Sequence, residues 1–255
     1  MNYCIVHQMK FFTLLFISML ALSSCEKDDS AEDNKNNNNN NNNQQSNACG
    51  TTTTVTDIDG NTYKVISTGN FCWMAENLRV TKFNNGTPIP HKPTSQDWYD
   101  ADGAAWCYLN NDPNTEEKYG KMYKGHTIQL ANDNSLNICP EGWRLPTWTE
   151  LQSFVKNDLE GPSKEEKANE VKSTSDWDGT QGNNSTGFNA YPGGYRDGGS
   201  ISKFVYVGEL VQFMTSYISG SASTQITTLR LTDDDVTLGD VSVFDGAYCR
   251  CIKDK

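Results

Sequence analysis

The stretch Asn137-Ile-Cys-Pro-Glu-Gly-Trp-Arg-Leu-Pro-Thr-Trp-Thr-Glu-Leu-Gln-Ser-Phe154 does most to limit what this chain can become. Pro140 and Gly142 force a turn, Trp143 and Leu145 are apolar anchors, and Pro146-Thr147 marks a helix start. Thr147 with Glu150 three residues on reads as a capping box, each side chain satisfying a backbone donor that the first turn would otherwise orphan. The helix that follows has Trp148, Leu151, Val155 and Leu159 at helical spacing, with Phe154 beside them, so one face is apolar and packs against something larger. Cys139 sits at the mouth of the turn, and the cysteines near the chain end that could tie it down are Cys249 and Cys251.

Cysteine usage and charge narrow the setting. The eight cysteines lie at 4, 25, 49, 72, 107, 139, 249 and 251. Setting aside Cys4 and Cys25 leaves an even six, and disulfides are the expectation in an oxidising compartment. There is no Cys-x-x-Cys, and Cys249-Arg-Cys251 puts both side chains on one face of a strand, so no metal site is expected from them. The whole chain carries a formal charge of −11. Residues 1–24 contain one Lys and no acid, so their removal leaves 20 basic against 32 acidic residues. Such a field repels phosphate, which argues against nucleic acid as a partner.

The amino-terminal residues describe a route rather than a fold. Lys10 precedes the apolar run Phe11 to Leu22, which is too short to span a bilayer and has the proportions of a secretory signal. Met9-Lys10 makes a more conventional start than Met1-Asn2. Leu22-Ser-Ser-Cys25 resembles the lipobox of bacterial lipoproteins, in which cleavage precedes the cysteine and its sulfur is acylated, so Cys25 is the expected lipidation site. Acyl chains such as palmitate hold a protein firmly, because each buried methylene contributes about 0.8 kcal/mol. The chain is therefore expected to be anchored to the outer membrane and exposed at the cell surface. Glu26-Lys-Asp-Asp29 looks like the acidic signal that sends lipoproteins of Bacteroidetes outward, and Asp29-Ser30-Ala31 resembles their short O-glycosylation motif, with Ser30 as acceptor. Asn34 to Asn47 is almost wholly Asn, Gln and Ser, and can form no core, so it reads as a disordered tether with a reach of a few tens of ångströms. The expected organisation is a signal at 1–24, a tether at 25–48 and one domain at 49–255.

Within that domain, Thr53 to Ile66 reads as a β-hairpin turning at Asp59-Gly60, a pair favoured in two-residue turns. Asp57, Asp59 and Asn61 have the look of a calcium loop, but Gly60 is misplaced for an EF-hand. Cys49 and Cys72 flank the hairpin, and pairing them would staple the first strand to the third. Trp98, Tyr99, Trp106, Tyr108, Tyr119 and Tyr123 punctuate a polar, loop-rich segment. Rings spaced in this way either stack on sugars or fill a core, and core is the favoured reading. Ser163 to Lys172 suggests a second short helix with Ala168 and Val171 inward, and 177–187 suggests a surface loop. At Pro192-Gly-Gly194 the glycines allow a close backbone approach. Strands are expected at 204–207, 210–215, 225–231, 236–238 and 247–252, with Asp233-Asp-Asp235 solvent-facing at a hairpin tip.

Seven ordered blocks then carry a resemblance: Asp57 to Tyr63, Trp73 to Leu78, Trp106 to Asp112, Tyr119 to Tyr123, Ile138 to Pro146, Phe188 to Arg196 and Arg250 to Asp254. Together they resemble the Fibrobacter succinogenes major paralogous domain over about residues 50 to 254. That family is similar to the C-type-lectin-like fold shared with formylglycine-generating sulfatase-modifying enzymes. The resemblance implies an α+β, C-type-lectin-like single domain with two helices, twisted antiparallel strands, long loops and neighbouring termini. It also implies a disulfide between Cys139 and Cys251. Gln212-Phe-Met-Thr-Ser216 departs from the family's usual aromatic pair, and Cys249 stands where an aliphatic residue is common, which leaves Cys107 and Cys249 as a third bridge or two buried thiols.

Three function classes are open to such a chain. An enzyme needs a nucleophile, a base and an orienter, and after maturation only His91 and His126 remain, neither in a triad-like pattern. The sulfatase-modifying enzymes use cysteine chemistry with copper, whereas these cysteines read as disulfides, so neither catalysis nor a cofactor is expected. The leading expectation is a non-catalytic binding or adhesion module for a glycan or an envelope protein. The alternative is a structural part of an extracellular, fimbria-like assembly.

Overall fold

The computed structural model describes residues 47–133, 136–219 and 225–254. The expected signal, Cys25, Ser30 and the tether up to residue 46 lie outside the described residues. The fold is α+β, dominated by antiparallel strands in three sheets. The first sheet holds β1 (Thr54–Thr56), β2 (Thr62–Thr68), β3 (Phe71–Met74) and, at its far edge, the last strand of the chain. Next come α1 (Ser95–Tyr99), β4 (Trp106–Tyr108), α2 (Glu116–Tyr119), β5 (Lys121–Lys124) and α3 (Gly125–Asp133). The helices α4 (Trp148–Ser153) and α5 (Lys164–Val171) follow, separated by a π-helical segment at Phe154–Asp158. The remaining strands are β6 (Tyr195–Arg196), β7 (Phe204–Val205), β8 (Val211–Ser219), β9 (Gln225–Leu231), β10 (Val236–Ser242), β11 (Gly246–Ala247) and β12 (Ile252–Asp254). The second sheet has the order β10-β9-β8 and the third β4-β5-β11-β6-β7.

The capped stretch forms as its residues dictate. The Trp143 amide bonds the Pro140 carbonyl at 2.9 Å, Gly142 takes φ 76°, and Thr147 and Glu150 complete the capping box at the start of α4. Arg144 and Ile252 exchange both backbone hydrogen bonds, at 3.0 and 2.8 Å, which lays the turn against β12. The helix itself departs from simple periodicity. The wider π turn after Ser153 brings Leu151, Phe154 and Leu159 inward and leaves Trp148 and Val155 half-buried. In α5, Ser163 and Glu166 form a second capping box, and Ala168 and Val171 are buried as expected.

Five α-helices stand among the described residues where two were expected. The longest of the unforeseen ones, α3, begins at Gly125, a residue that reads as a breaker. Its glycine serves packing instead, since a Cβ there would sit 2.6 Å from the Val243 Cα. The first hairpin also differs from expectation, because Thr56 pairs with Thr62 and the connection is residues 57–61 rather than two. The Asp57 side chain organises it, accepting from the Asp59 and Asn61 amides, from Asn61 Nδ2 and from the Tyr63 hydroxyl. A two-residue turn would leave those donors unmatched.

Cys49 is bonded to Cys72, and Cys139 to Cys251, with Cα–Cα distances of 4.7 and 5.9 Å. Cys107 and Cys249 are free and buried, so a third bridge does not form. Their places in the core explain why: Cys107 shares one core cluster with Met122 and Tyr248, and Cys249 shares the other with Tyr123 and Ala247. The Cys107 sulfur, on β4, and the Cys249 sulfur, two residues past β11, thus sit in different halves of the core.

Candidate functional site

A cleft of about 540 Å³ opens where Ala75, Glu76 and Arg79, the α2 turn, Asn189 to Tyr191 and Arg250 converge. Its base is Arg250, 2% exposed, whose guanidinium lies 4.2 Å from the Phe188 ring centre and 4.8 Å from that of Phe213. The guanidinium donates to the Asn77 side-chain oxygen at 2.7 Å, to the Asn189 carbonyl at 3.1 Å and to the Phe188 carbonyl. Burial pushes its pKa down, but a guanidinium stays charged at neutral pH. Asn77 passes the connection on by donating to the Tyr119 carbonyl at 2.7 Å. Gly120, at φ 71°, is required beside it, since a Cβ would sit 2.6 Å from the Asn77 Cβ.

The walls carry both charge signs and one ring, Tyr191, with Tyr119 packed behind it. Arg79 donates to the Thr62 carbonyl at 2.8 Å, lies 3.9 Å from the Glu76 carboxylate and covers the Tyr63 ring at 4.7 Å. On the other side Lys118 pairs with Asp176 at 2.5 Å and sits over Tyr191 and Tyr119, 5.0 and 5.5 Å from their ring centres. The two tyrosine rings meet edge to face at 5.8 Å. The hydrogen bond from Lys118 shapes both pKa values: it raises that of Lys118 against desolvation, and with Ser175 it outweighs burial to lower that of Asp176. Asn189 at the cleft, φ 55°, and Asp176 beside Lys118, φ 75°, hold left-handed backbone, a conformation that Asn and Asp adopt more readily than other side chains. Asn114 and Glu117 line the cleft with exposed side chains. The volume suits a small ligand or one end of a larger one, and the lining offers hydrogen-bond donors, acceptors and one ring rather than an apolar slot.

The residues singled out in the sequence are spread more widely. Trp98, Trp106 and Tyr123 are buried and act as core, whereas Tyr99 is 51% exposed. His91 stacks on Trp106 at 4.1 Å, and His126 packs edge-on against Phe244 at 4.8 Å. Burial lowers both histidine pKa values, with Lys121 and Arg196 adding to it at His91. The Asp59 carboxylate is occupied by the Thr81 amide and hydroxyl and by Lys82, and Asp57 by the donors of its own loop. Of the acidic triplet, Asp233 is turned toward the buried Lys172 and the Thr180 amide rather than to solvent alone. Cys107, with its pKa pushed up to about 11 by burial, and Cys249, raised further, are protonated thiols.

A family profile described as the Fibrobacter succinogenes major domain matches residues 66–253. The chain belongs to that family. No curated protein and no solved structure matches it. In this Fibrobacter succinogenes major domain the cleft is drawn from the blocks that mark the sequence: Ala75 and Glu76 from one, Asn189 and Tyr191 from another, Arg250 from the last. Sequence reasoning noticed those blocks without seeing that they meet. The Lys118–Asp176 pair was missed entirely, and the one available signal was an Asp in a Ser- and Gly-rich loop.

Proposed function

We propose that this protein is a non-catalytic binding module, lipid-anchored through Cys25, carried on the Asn-rich tether at the outer face of the outer membrane, with the Glu76–Lys118–Tyr191 cleft receiving a glycan or a polar protein epitope. The observation that carries this reading is the cleft's construction. Its base is a fully desolvated arginine spent on backbone carbonyls, and its rim leaves Asn114, Glu117 and part of Tyr191 to solvent. Such a frame fixes a surface on which the rim side chains are presented. A C-type-lectin-like arrangement is part of the proposal, supported by the pairing of the last strand beside the first hairpin and by the long loops between short strands.

The test is binding of the mature chain to a glycan array and to extracted envelope proteins, beside a Tyr191→Ala, Asn114→Ala variant. Binding that falls at least tenfold in the variant, with unchanged thermal unfolding, supports the reading. Silence of the wild type on both surfaces removes it. A second reading, a structural part of an extracellular assembly, draws on β10, which is the edge of its sheet, and on Leu238 of that strand, which lines a groove with Trp148 and Val155. Cross-links from residues 236–242 to neighbouring chains on intact cells would favour it.

A further inference from the structure

Outside the cleft, one surface spends backbone strain on a side chain that the core does not use. Tyr206 follows β7 in a left-handed conformation, φ 57°, and its side chain is 51% exposed. Glycine or asparagine would serve such a turn at less cost, and a bulky ring there is uncommon. The turn is nonetheless built around it. The Tyr206 carbonyl accepts from the Glu209 and Leu210 amides, both at 3.1 Å, and Gly194 gives it room, since a Cβ there would sit 2.1 Å from the Val205 carbonyl oxygen. What the ring does meet is Tyr195, on the neighbouring strand, with centroids 6.0 Å apart and planes within 22°.

The surroundings are those of a hydrogen-bonding rim. Arg230 on β9 is exposed, and its guanidinium has no hydrogen bond or ion pair among the described residues. Its charge reaches Tyr195, whose pKa is raised first by burial and then by Asp245, Tyr206 and Asp197, with Arg230 opposing. Asp197 uses one carboxylate oxygen on the Gly199 amide at 3.0 Å. Asp245 is fixed by the Gly198 and Ser242 amides at 2.8 and 3.0 Å.

We infer that Tyr195 and Tyr206 form a stacking platform for a neutral pyranose of a polysaccharide, with Arg230 donating to its hydroxyls and Asp197 accepting from them. The C–H face of a sugar ring carries partial positive charge and matches the negative face of a tyrosine. The exposed Tyr206 ring, backed by the near-parallel ring of Tyr195, offers it an aromatic face. The acids on this surface, together with the chain's charge of −11, disfavour an anionic ligand. A protein partner would want a wider apolar area than this pair supplies.

The experiment is affinity electrophoresis of the mature, full-length chain through gels containing soluble neutral polysaccharides (a glucan, a galactomannan and a xylan), with Tyr206→Asn, Tyr206→Phe and Tyr191→Ala variants alongside. Retardation of the wild type by at least one polysaccharide, kept in Tyr206→Phe and weakened tenfold or more in Tyr206→Asn, is the expected result. Asparagine relieves the backbone, so Tyr206→Asn should unfold at the same temperature as the wild type or higher. A lower unfolding temperature would make the ring a structural element and overturn the proposal. So would equal retardation of Tyr206→Asn or the absence of any retardation of wild type. Loss in Tyr191→Ala with none in Tyr206→Asn would leave the cleft reading standing and end this one.

Discussion

The sheet β1-β2-β3-β12 and the region around β6 and β7 are held by opposite means. In the first, covalent bonds join Cys49 to β3 and the Cys139 turn to the residue before β12, closing chain separations of 23 and 112 residues. In the second there is no disulfide, and Arg196 does the joining. It is 1% exposed and donates to the carbonyls of Lys92, Pro93 and Thr94 at 2.8 to 3.0 Å and to the Ser202 hydroxyl at 3.0 Å. Its guanidinium lies between Trp98 and Phe204, at 4.5 and 5.2 Å. Nearby, the buried Lys124 does the same for the carbonyls of Trp98 and Ala101. A disulfide acts largely by restricting the unfolded chain. A buried cation acts in the folded state, by satisfying carbonyls that loops would otherwise bury without partners. The lesson is that a loop-rich fold can be braced from either side of the folding equilibrium.

That contrast can be broken at several points. Replacing Cys139 and Cys251 together by Ala should cost most, about 4 to 5 kcal/mol for so long a loop, read as a lower midpoint in urea. Arg196→Met should cost about 2 to 3 kcal/mol, because the partly buried carbonyls of residues 92–94 lose the donor that ties them to the core, and it should do so equally with or without reductant. Arg196→Lys should recover little of this, since an ammonium cannot reproduce the fork. Smaller still is Glu150→Gln, about 1 kcal/mol, which loosens the capping box and its pair with Arg144 at 2.6 Å. Acid sharpens the comparison. At Glu150 desolvation is outweighed by Arg144 and Thr147, so the folded pKa lies below the ordinary value of 4.5. Its contribution is therefore complete above that pH and is lost as pH falls through the lower, folded value. Unfolding curves from pH 6 to 3 should weaken the wild type more than Glu150→Gln. Least in energy but clearest to read, thiol labelling of peptides from residues 47–254 under non-reducing conditions should find Cys107 and Cys249 only after denaturation.

Local signals were legible in the sequence where a few neighbouring residues settle the outcome. The Pro140–Gly142 turn, the Thr147–Glu150 cap, the Ser163 helix and the long strand at Gln225–Leu231 are all of that kind. So was the Cys49–Cys72 staple, whose partners flank a hairpin. The hairpin's loop was misread because one side chain, Asp57, overrode the preference of Asp59-Gly60. The cleft was hidden for a different reason. Lys118 finds Asp176, and Arg250 finds Phe188 and Asn189, across separations that no periodicity spans, and their acceptors are backbone carbonyls, which every residue has. Arg196 was noticed as the end of a block but gave no hint that residues 92–94 would be its partners.

The first staple also decides where mechanical load would enter. A pull delivered through residue 47 reaches Cys49 within two residues and crosses at once to Cys72, in a strand flanked on both sides by β2 and β12. The β1–β2 hairpin lies inside the covalent loop and carries none of that tension. Peeling, the easiest way to strip a sheet, is thereby closed off, and strands on both sides of β3 would have to shear together before the domain yields.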